Sequence, residues 1–507
     1  MPSPNILVFI SDQQRADTVA PETACQTPNI DSLGEGGTRF ERCYSQSPIC
    51  SPSRATMLTG VLPHNHGMVD VTHSTEPYRN HFREDMDTWS DHLDDQGYHL
   101  GYFGRWHVER SKNLGTFGFD EYETTRQEAF ERNFGDYREK LGLAREPDMS
   151  PEAIDDPFTV SHAGYDDFLI YGTHDEPAEA TPEHYICSRG IDFIEQASDQ
   201  DQPWCLTLGT YAPHDPFVPP EEYLEQYDPS AIPERESFDD DMEEKPEMYR
   251  RQRDVWEEME WPEFAEAIAH YYAYCSHVDD QVGRILKTLK ETGQREDTIV
   301  IFTSDHGELA GAHGMLLKGL PAFDECYRVP LVIDSPFAEA SGQVRNEIVR
   351  LQDLAPTLVD LGGGEFDATE NVSIRNPEVD PDPYPMDDQS NPATSLAPFL
   401  DGEVPNDHRS EAFAEIHAQR FPWTQRTLWT DRYKYVFNTV GPDELYDHVN
   451  DPHELQNVAQ DDEYQDVLVE MTTRMWEIAR ETGDHNLVES GYGMHRFAPV
   501  GPNVTKN

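Results

Sequence analysis

A cysteine at position 50 is followed two residues on by Pro52 and two further by Arg54, directly ahead of Ala55-Thr56-Met57-Leu58-Thr59-Gly60, a run that can form a helix. A side chain at such a helix start sits among unpaired backbone N–H groups at the positive end of the dipole, beside a guanidinium that keeps its charge. That pocket suits a nucleophile working on a tetrahedral oxyanion. Read alone, Cys50 is equally a small buried residue, the common fate of a free cysteine.

Four apolar runs end in residues that could join it. Asn5–Ser11 runs into Asp12-Gln13, His99–Gly104 into Arg105-Trp106-His107, Trp204–Gly209 into Tyr211-Ala212-Pro213-His214-Asp215-Pro216-Phe217, and Asp297–Ser304 into Asp305-His306-Gly307-Glu308. Continuous apolar runs of this length predict buried parallel strands, and ligands of α/β sheets lie at the C-terminal ends of such strands. Singly, an acid closing a strand reads as a loop cap and a loop histidine as a bystander. Together, Asp12-Gln13 and Asp305-His306 offer an oxygen-rich set with one imidazole, which suits a divalent cation. Lys318 stands between Leu317 and Gly319 in a chain with only eight lysines, so it reads as functional. His313 faces substrate or caps its loop, and His64 and His66 read as solvated loop residues.

The pattern Cys50-x-Pro52-x-Arg54 followed by Thr59-Gly60 resembles the signature of the type I sulfatases, within the alkaline-phosphatase-like superfamily. The resemblance extends through Arg105-Trp106-His107, where the family usually has lysine in place of Arg105, and through Pro213-His214-Asp215-Pro216-Phe217. It implies that Cys50 is oxidised to Cα-formylglycine by a formylglycine-generating enzyme, and that the hydrated aldehyde attacks sulfur with one hydroxyl and expels sulfate with the other. It implies one divalent cation, Ca2+ first with Mn2+ or Mg2+ as alternatives, held by Asp12, Gln13, Asp305, His306 and the oxygen at position 50. Arg54 would activate that oxygen, His107 would serve as base, His214 with Lys318 would protonate the leaving group, and Arg105 would hold charge on the transferring group. Gln13 and His306 stand where many sulfatases carry Asp and Asn, and choline sulfatases and phosphonate monoester hydrolases look closer here. The expected function is hydrolysis of a small-molecule or carbohydrate sulfate ester, with phosphonate monoester or phosphodiester hydrolysis as the alternative.

The 507 residues include 98 acidic and 38 basic ones, a net charge of −60. Such acidity with ordinary aromatic content and clear apolar runs argues for a folded protein adapted to concentrated salt; affinity for basic partners is the other reading. No basic patch points to nucleic acid. Seven scattered cysteines without a CxxC pair make neither a disulfide framework nor a zinc site. Met1-Pro2-Ser3-Pro4 leads into strand-like sequence and no apolar run spans a bilayer, so the expectation is a cytoplasmic protein in a high-salt cytosol, away from membranes.

The elements that must position these residues predict an α/β fold, a large, mostly parallel mixed sheet flanked by helices, with a smaller C-terminal α+β subdomain. The catalytic domain is expected over 1–364, with irregular, cleft-bordering insertions near 117–182 and 221–262. An acidic, Pro-rich linker or excursion covers 365–392. The C-terminal subdomain, 393–507, carries a small antiparallel sheet around 425–447 and a helix over about 462–482.

Overall fold

The computed structural model describes residues 3–501 apart from 21, 75–79, 81, 84–85, 162–166, 373–392, 406–407, 418–422 and 489–497. Its centre is an eight-stranded sheet. The strands are β1 (Asn5–Ser11), β2 (Thr38–Tyr44), β3 (His99–Gly104), β4 (Glu121–Thr124), then, after a separate two-stranded hairpin of β5 (Asp155–Val160) and β6 (Phe168–Thr173), β7 (Trp204–Gly209), β8 (Thr298–Ser304), β9 (Arg328–Asp334) and β10 (Gln343–Arg350). They lie in the order β10-β2-β9-β8-β1-β7-β3-β4. Every pairing is parallel except those of β9, which runs against both β2 and β8. Pro330 of β9 lacks the donor a central strand needs, and the β2 register slips opposite it, between Phe40 and Cys43.

Side-chain alternation along β1 sets the layers. Ile6, Val8 and Ile10 join the cluster holding Leu58, Leu93 and Leu358, so the helices Cys50–Thr59, Trp89–Asp95 and Leu354–Leu361 cover one face. Leu7 and Phe9 join Ile186, Phe193, Val278 and Val282 on the other, covered by the helices Pro182–Ala197 and Trp261–Glu291. The helix Pro182–Ala197 starts as its sequence demands, with the Thr181 side chain accepting from the His184 N–H and proline in the first turn.

Two expectations are corrected. The stretch 117–182 is not irregular: it holds β4, the helix Glu128–Lys140 and the β5–β6 hairpin. The proposed linker begins as part of the catalytic layer, because Ala368 and Val372 are in the main core cluster and buried Asn371 donates to the Thr59 and Asp87 carbonyls. The remainder of that linker, 373–392, lies outside the described residues. The insertion at 221–262 contains only short helical turns before the long helix, including Glu221–Leu224 and Glu247–Arg253.

The C-terminal part forms a four-stranded antiparallel sheet of β11 (Ala412–Ile416), β12 (Gln425–Trp429), β13 (Tyr433–Asn438) and β14 (Glu444–Asp447), packed on the helix Gln465–Glu481. Leu428, Tyr435 and Phe437 face that helix, while Trp429 and Val436 face the catalytic layer through Tyr44 and Tyr327. Among the described residues no helix is long and apolar enough to cross a membrane. All seven cysteines are buried and unpaired.

One joint between the two parts is polar and buried. His64 is not a solvated loop residue: Nδ1 meets Glu415 of β11 at 2.7 Å and Nε2 the Thr482 carbonyl at 3.0 Å. Arg426 closes the cluster through Asp484 at 2.7 Å, and His417 contacts the second Glu415 oxygen. His66 instead meets the Thr56 hydroxyl. Burial by itself would lower the His64 pKa, but Glu415 and Asp484 raise it to about 9. The folded state therefore holds a proton that the unfolded chain releases near 6.5. Its stabilisation is complete below about pH 6.5 and is lost as pH rises through about 9. At the acid end, the depressed Glu415 and Asp484 pKa values mark where the cluster is lost as pH falls. Chemical denaturation between pH 6 and 10 should show a loss of about 3 kcal/mol in the wild type. His64→Gln should be less stable at pH 6 and nearly flat across that range; equal slopes for both proteins would disprove the assignment.

Candidate active site

The four strand ends named from sequence belong to adjacent strands, β8, β1, β7 and β3, and their following loops meet over the start of the Cys50 helix. That helix begins at Cys50 itself, is buried from end to end, and stops at Gly60, which adopts a left-handed φ of 70° and donates its N–H to Thr56. Glycine also fixes the neighbouring loop. Gly104 has a φ of 101°, and a Cβ there would collide with the Gly209 carbonyl oxygen. The close approach of β3 and β7 lets the Arg105 N–H donate to Gly209 at 2.8 Å, which aims the Arg105 loop at the Cys50 helix.

Asp12, Cys50, Asp305 and His306 converge, each offering one ligand atom within 4.8 Å of the others, and all four are buried. The Cys50 sulfur lies 3.1 Å from His306 Nε2, 3.6 Å from Asp12 Oδ1 and 3.7 Å from Arg105 Nη2. His306 Nδ1 is 3.0 Å from the Gly307 carbonyl, so that nitrogen carries the proton and Nε2 presents a lone pair to the cluster. Two carboxylates and one neutral imidazole form a donor set that fits a divalent cation.

Arg54 braces this set with every branch of its guanidinium. Nε donates to Asp305 at 2.7 Å, Nη2 to Asp12 at 3.2 Å and Nη1 to the Arg105 carbonyl at 2.6 Å. Arg105 makes a second ion pair with Asp12 and lies 4.5 Å over the Tyr211 ring. Burial would raise the Asp12 pKa, but Arg105, His214, Arg54 and His306 outweigh it and hold the carboxyl well below its usual range.

Gln13 sits beside the cluster, with φ 69° and its backbone N–H on Asp305 at 3.1 Å. Its side chain enters a network that sequence reading had not found. Lys318 Nζ donates to the Gln13 amide oxygen, while Gln13 Nε2 donates to Glu308 at 2.6 Å and Asp215 at 3.1 Å. Burial pushes Glu308 up to about 7. Burial opposes the Lys318 charge, yet Cys50, Asp215 and Asp12 raise its pKa above the ordinary value. Glu308 and Asp215 each stand in a quoted strand-end motif, and their only sequence signal was an acid inside a loop too apolar to be solvated.

The histidines divide. Both ring nitrogens of His107 are shielded from solvent and have no hydrogen-bond partner among the described residues. Burial and then Arg105 push its pKa well below the usual imidazole value. His214 Nδ1 is 2.7 Å from the Asp215 carbonyl, with the ring against Tyr211. His313 belongs elsewhere: Nδ1 meets Asp240 at 2.6 Å and the ring stacks on Phe323.

Comparison with known proteins gives this constellation its family. The family described as Sulfatase matches residues 4–364, more than half of the chain. The chain is a member of the sulfatase family. The C-terminal region described for N-sulphoglucosamine sulphohydrolase matches residues 384–481 of this sulfatase. It is 31% identical to the uncharacterised sulfatase YidJ of Escherichia coli, over 93% of this chain and 86% of that protein. It is also 28% identical to the choline-sulfatase of Rhizobium meliloti, over 90% and 82% of the respective chains. In fold, the sulfatase is similar to the phosphonate monoester hydrolase of Silicibacter pomeroyi, with a TM-score of 0.77, 24% identity and 96% coverage of both chains. Membership of this family implies formylglycine and a divalent metal, and Asp12, Cys50, Asp305 and His306 form a buried group of possible metal ligands.

Proposed function

We infer that this sulfatase hydrolyses sulfate esters at position 50 as formylglycine, with Asp12, Asp305 and His306 holding Ca2+ or, alternatively, Mn2+ or Mg2+, and with Gln13 alongside. The observation that carries this reading is the convergence of a helix-start cysteine with two carboxylates and an imidazole inside one buried volume. The hydrated aldehyde would supply the nucleophile, and a divalent cation held by Asp12, Asp305 and His306 would lower its pKa and offset negative charge there. Arg105 and Lys318 hold the charge that develops on the transferring group, usually the largest catalytic contribution. Among the described residues the ring nitrogens of His107 make no hydrogen bond, and its pKa is held well below the usual imidazole value, so it is free to take the proton when sulfate is expelled. His214, with Nδ1–H on the Asp215 carbonyl, gives a proton to the departing oxygen from Nε2 when both ring nitrogens are protonated.

Lys318→Ala should lower kcat/KM on 4-nitrophenyl sulfate about a hundredfold. A fall of less than threefold would remove Lys318 from the mechanism. Rates on aryl sulfate and aryl phosphonate esters separate the two chemistries, and a preference for the phosphonate would favour the alternative activity. The maturation partner is a formylglycine-generating enzyme, and the substrate is a small-molecule or carbohydrate sulfate ester.

The net charge of −60 supports a setting rich in salt, which we read as a cytosol. At about 1 M salt the Debye length falls to about 3 Å, so the acidic shell neither repels itself nor an anionic ester. Activity and the thermal midpoint should both rise between 0.1 M and 2 M KCl, and a fall across that range would exclude adaptation to salt.

A further inference from the structure

A cavity of about 420 Å3 opens beside Arg105 and His107, and three more cations line it: Arg110, Lys112 and Arg126, from the loops that follow β3 and β4. In a chain with 98 acidic and 38 basic residues, this wall inverts the balance. The single acid in the lining, Glu109, is fully engaged: one oxygen accepts from the Ser111 N–H and hydroxyl at 2.7 and 2.6 Å, the other from the Lys112 N–H at 2.7 Å. Glu109 thus shapes the loop that presents Arg110 and Lys112.

Among the described residues these cations lack counter-ions. Among the described residues the side chains of Arg110 and Arg126 make no ion pair or hydrogen bond, while Lys112 lies over the Phe117 ring. Partial burial, then Arg105 and Arg110, lower the Arg126 pKa. Arg126 also holds a left-handed φ of 70°, a conformation unfavourable for a residue with a Cβ and one that tends to be kept where function uses it. The Thr125 N–H on the Gly104 carbonyl at 2.9 Å ties this turn to the end of β3, next to Arg105. Arg54 is committed to both carboxylates, and Arg105 with Lys318 serves the transferring sulfuryl group, so these three cations are surplus to that task.

We propose that this cavity receives the alcohol half of the ester and that this half carries a second anionic group, a carboxylate, sulfate or phosphate, bound by Arg126 with Arg110 and Lys112. The inference rests on the sulfate-ester reading above and deepens it. Guanidinium groups suit planar and tetrahedral oxyanions, and a local positive wall on an acidic protein concentrates such a substrate where the global field would not.

The test uses the full-length protein carrying formylglycine, at one fixed salt concentration, with 4-nitrophenyl sulfate and its 2- and 3-carboxylated and 3-sulfonated analogues. At least one dianionic analogue should exceed the parent in kcat/KM by about tenfold, mainly through KM. Arg126→Ala and Arg110→Ala should each cut that preference by about fivefold, and Arg126→Lys should keep most of it. Both arginines are solvent-exposed, so neither alanine variant threatens folding. The proposal is overturned if every analogue falls within about twofold of the parent, or if a preference survives both alanine substitutions, while the parent ester is still hydrolysed. Absence of turnover on every ester, by protein shown to carry formylglycine, would overturn the sulfatase reading and this proposal with it.

Discussion

Cys50→Ala should leave a folded, soluble protein whose turnover of 4-nitrophenyl sulfate is reduced by about 10⁴-fold or more, since losing a covalent nucleophile removes the reaction path itself. The fold should tolerate the change. Cys50 is small, lies at the first position of its helix, and its sulfur meets the polar groups of Asp12, His306 and Arg105. Cys50→Ser is the sharper variant, because it places an oxygen at the same point without an aldehyde. A serine hydroxyl can attack once but has no second hydroxyl to expel sulfate, so that variant should trap a sulfated enzyme or remain inactive. Mass spectrometry of the peptide spanning Cys50 supplies the independent readout. Active protein should show a fragment lighter than the cysteine form by the difference between a thiol-bearing CH2 and an aldehyde. Full activity from protein bearing only unmodified Cys50 would sink the mechanism.

How much of this was legible depended on where the information sits. The runs ending at Asp12, Arg105, Tyr211 and Asp305 are central strands buried on both faces, so their continuous hydrophobicity announces them. The Cys50 helix carried its own start and its Gly60 stop. In contrast β2, Thr-Arg-Phe-Glu-Arg-Cys-Tyr, mixes charges into a half-covered strand, and β10 at the sheet edge exposes much of its length, so neither stands out. The β5–β6 hairpin is short and partly exposed, which made 117–182 read as irregular.

Long-range polar partners were the other blind spot. His64 finds Glu415 351 positions away, and Lys318 finds Gln13 305 positions away, pairings no local pattern encodes. The sequence reading gave Gln13 a place among the metal ligands; its amide is the hub that joins Lys318 to Glu308 and Asp215. That hub changes what Lys318 can do. A lysine tethered through an amide is aimed as well as charged, which lets one long, flexible side chain hold a fixed position beside the cluster.

Arg54→Ala is expected to damage stability and catalysis together, by different routes. Removing the guanidinium leaves Asp305 buried with the Gln13 N–H at 3.1 Å and no arginine, while Asp12 keeps Arg105. Stripping one partner from a buried ion pair costs about 3–5 kcal/mol, because the other charge stays desolvated. The two carboxylates then repel across the cluster, and their affinity for protons rises. A divalent cation can replace that lost positive charge but cannot replace the bond from Nη1 to the Arg105 carbonyl, which fixes the β3 loop. Millimolar Ca2+ should therefore restore much of the thermal stability of the variant while kcat stays about 10²–10³-fold down. Arg54→Lys keeps a charge but cannot span three partners, so it should fall between wild type and alanine in stability and close to alanine in rate. Wild-type stability in Arg54→Ala without added cation, or recovery of rate in step with stability, would show that Arg54 is only a counter-ion and that the loop position does not depend on it.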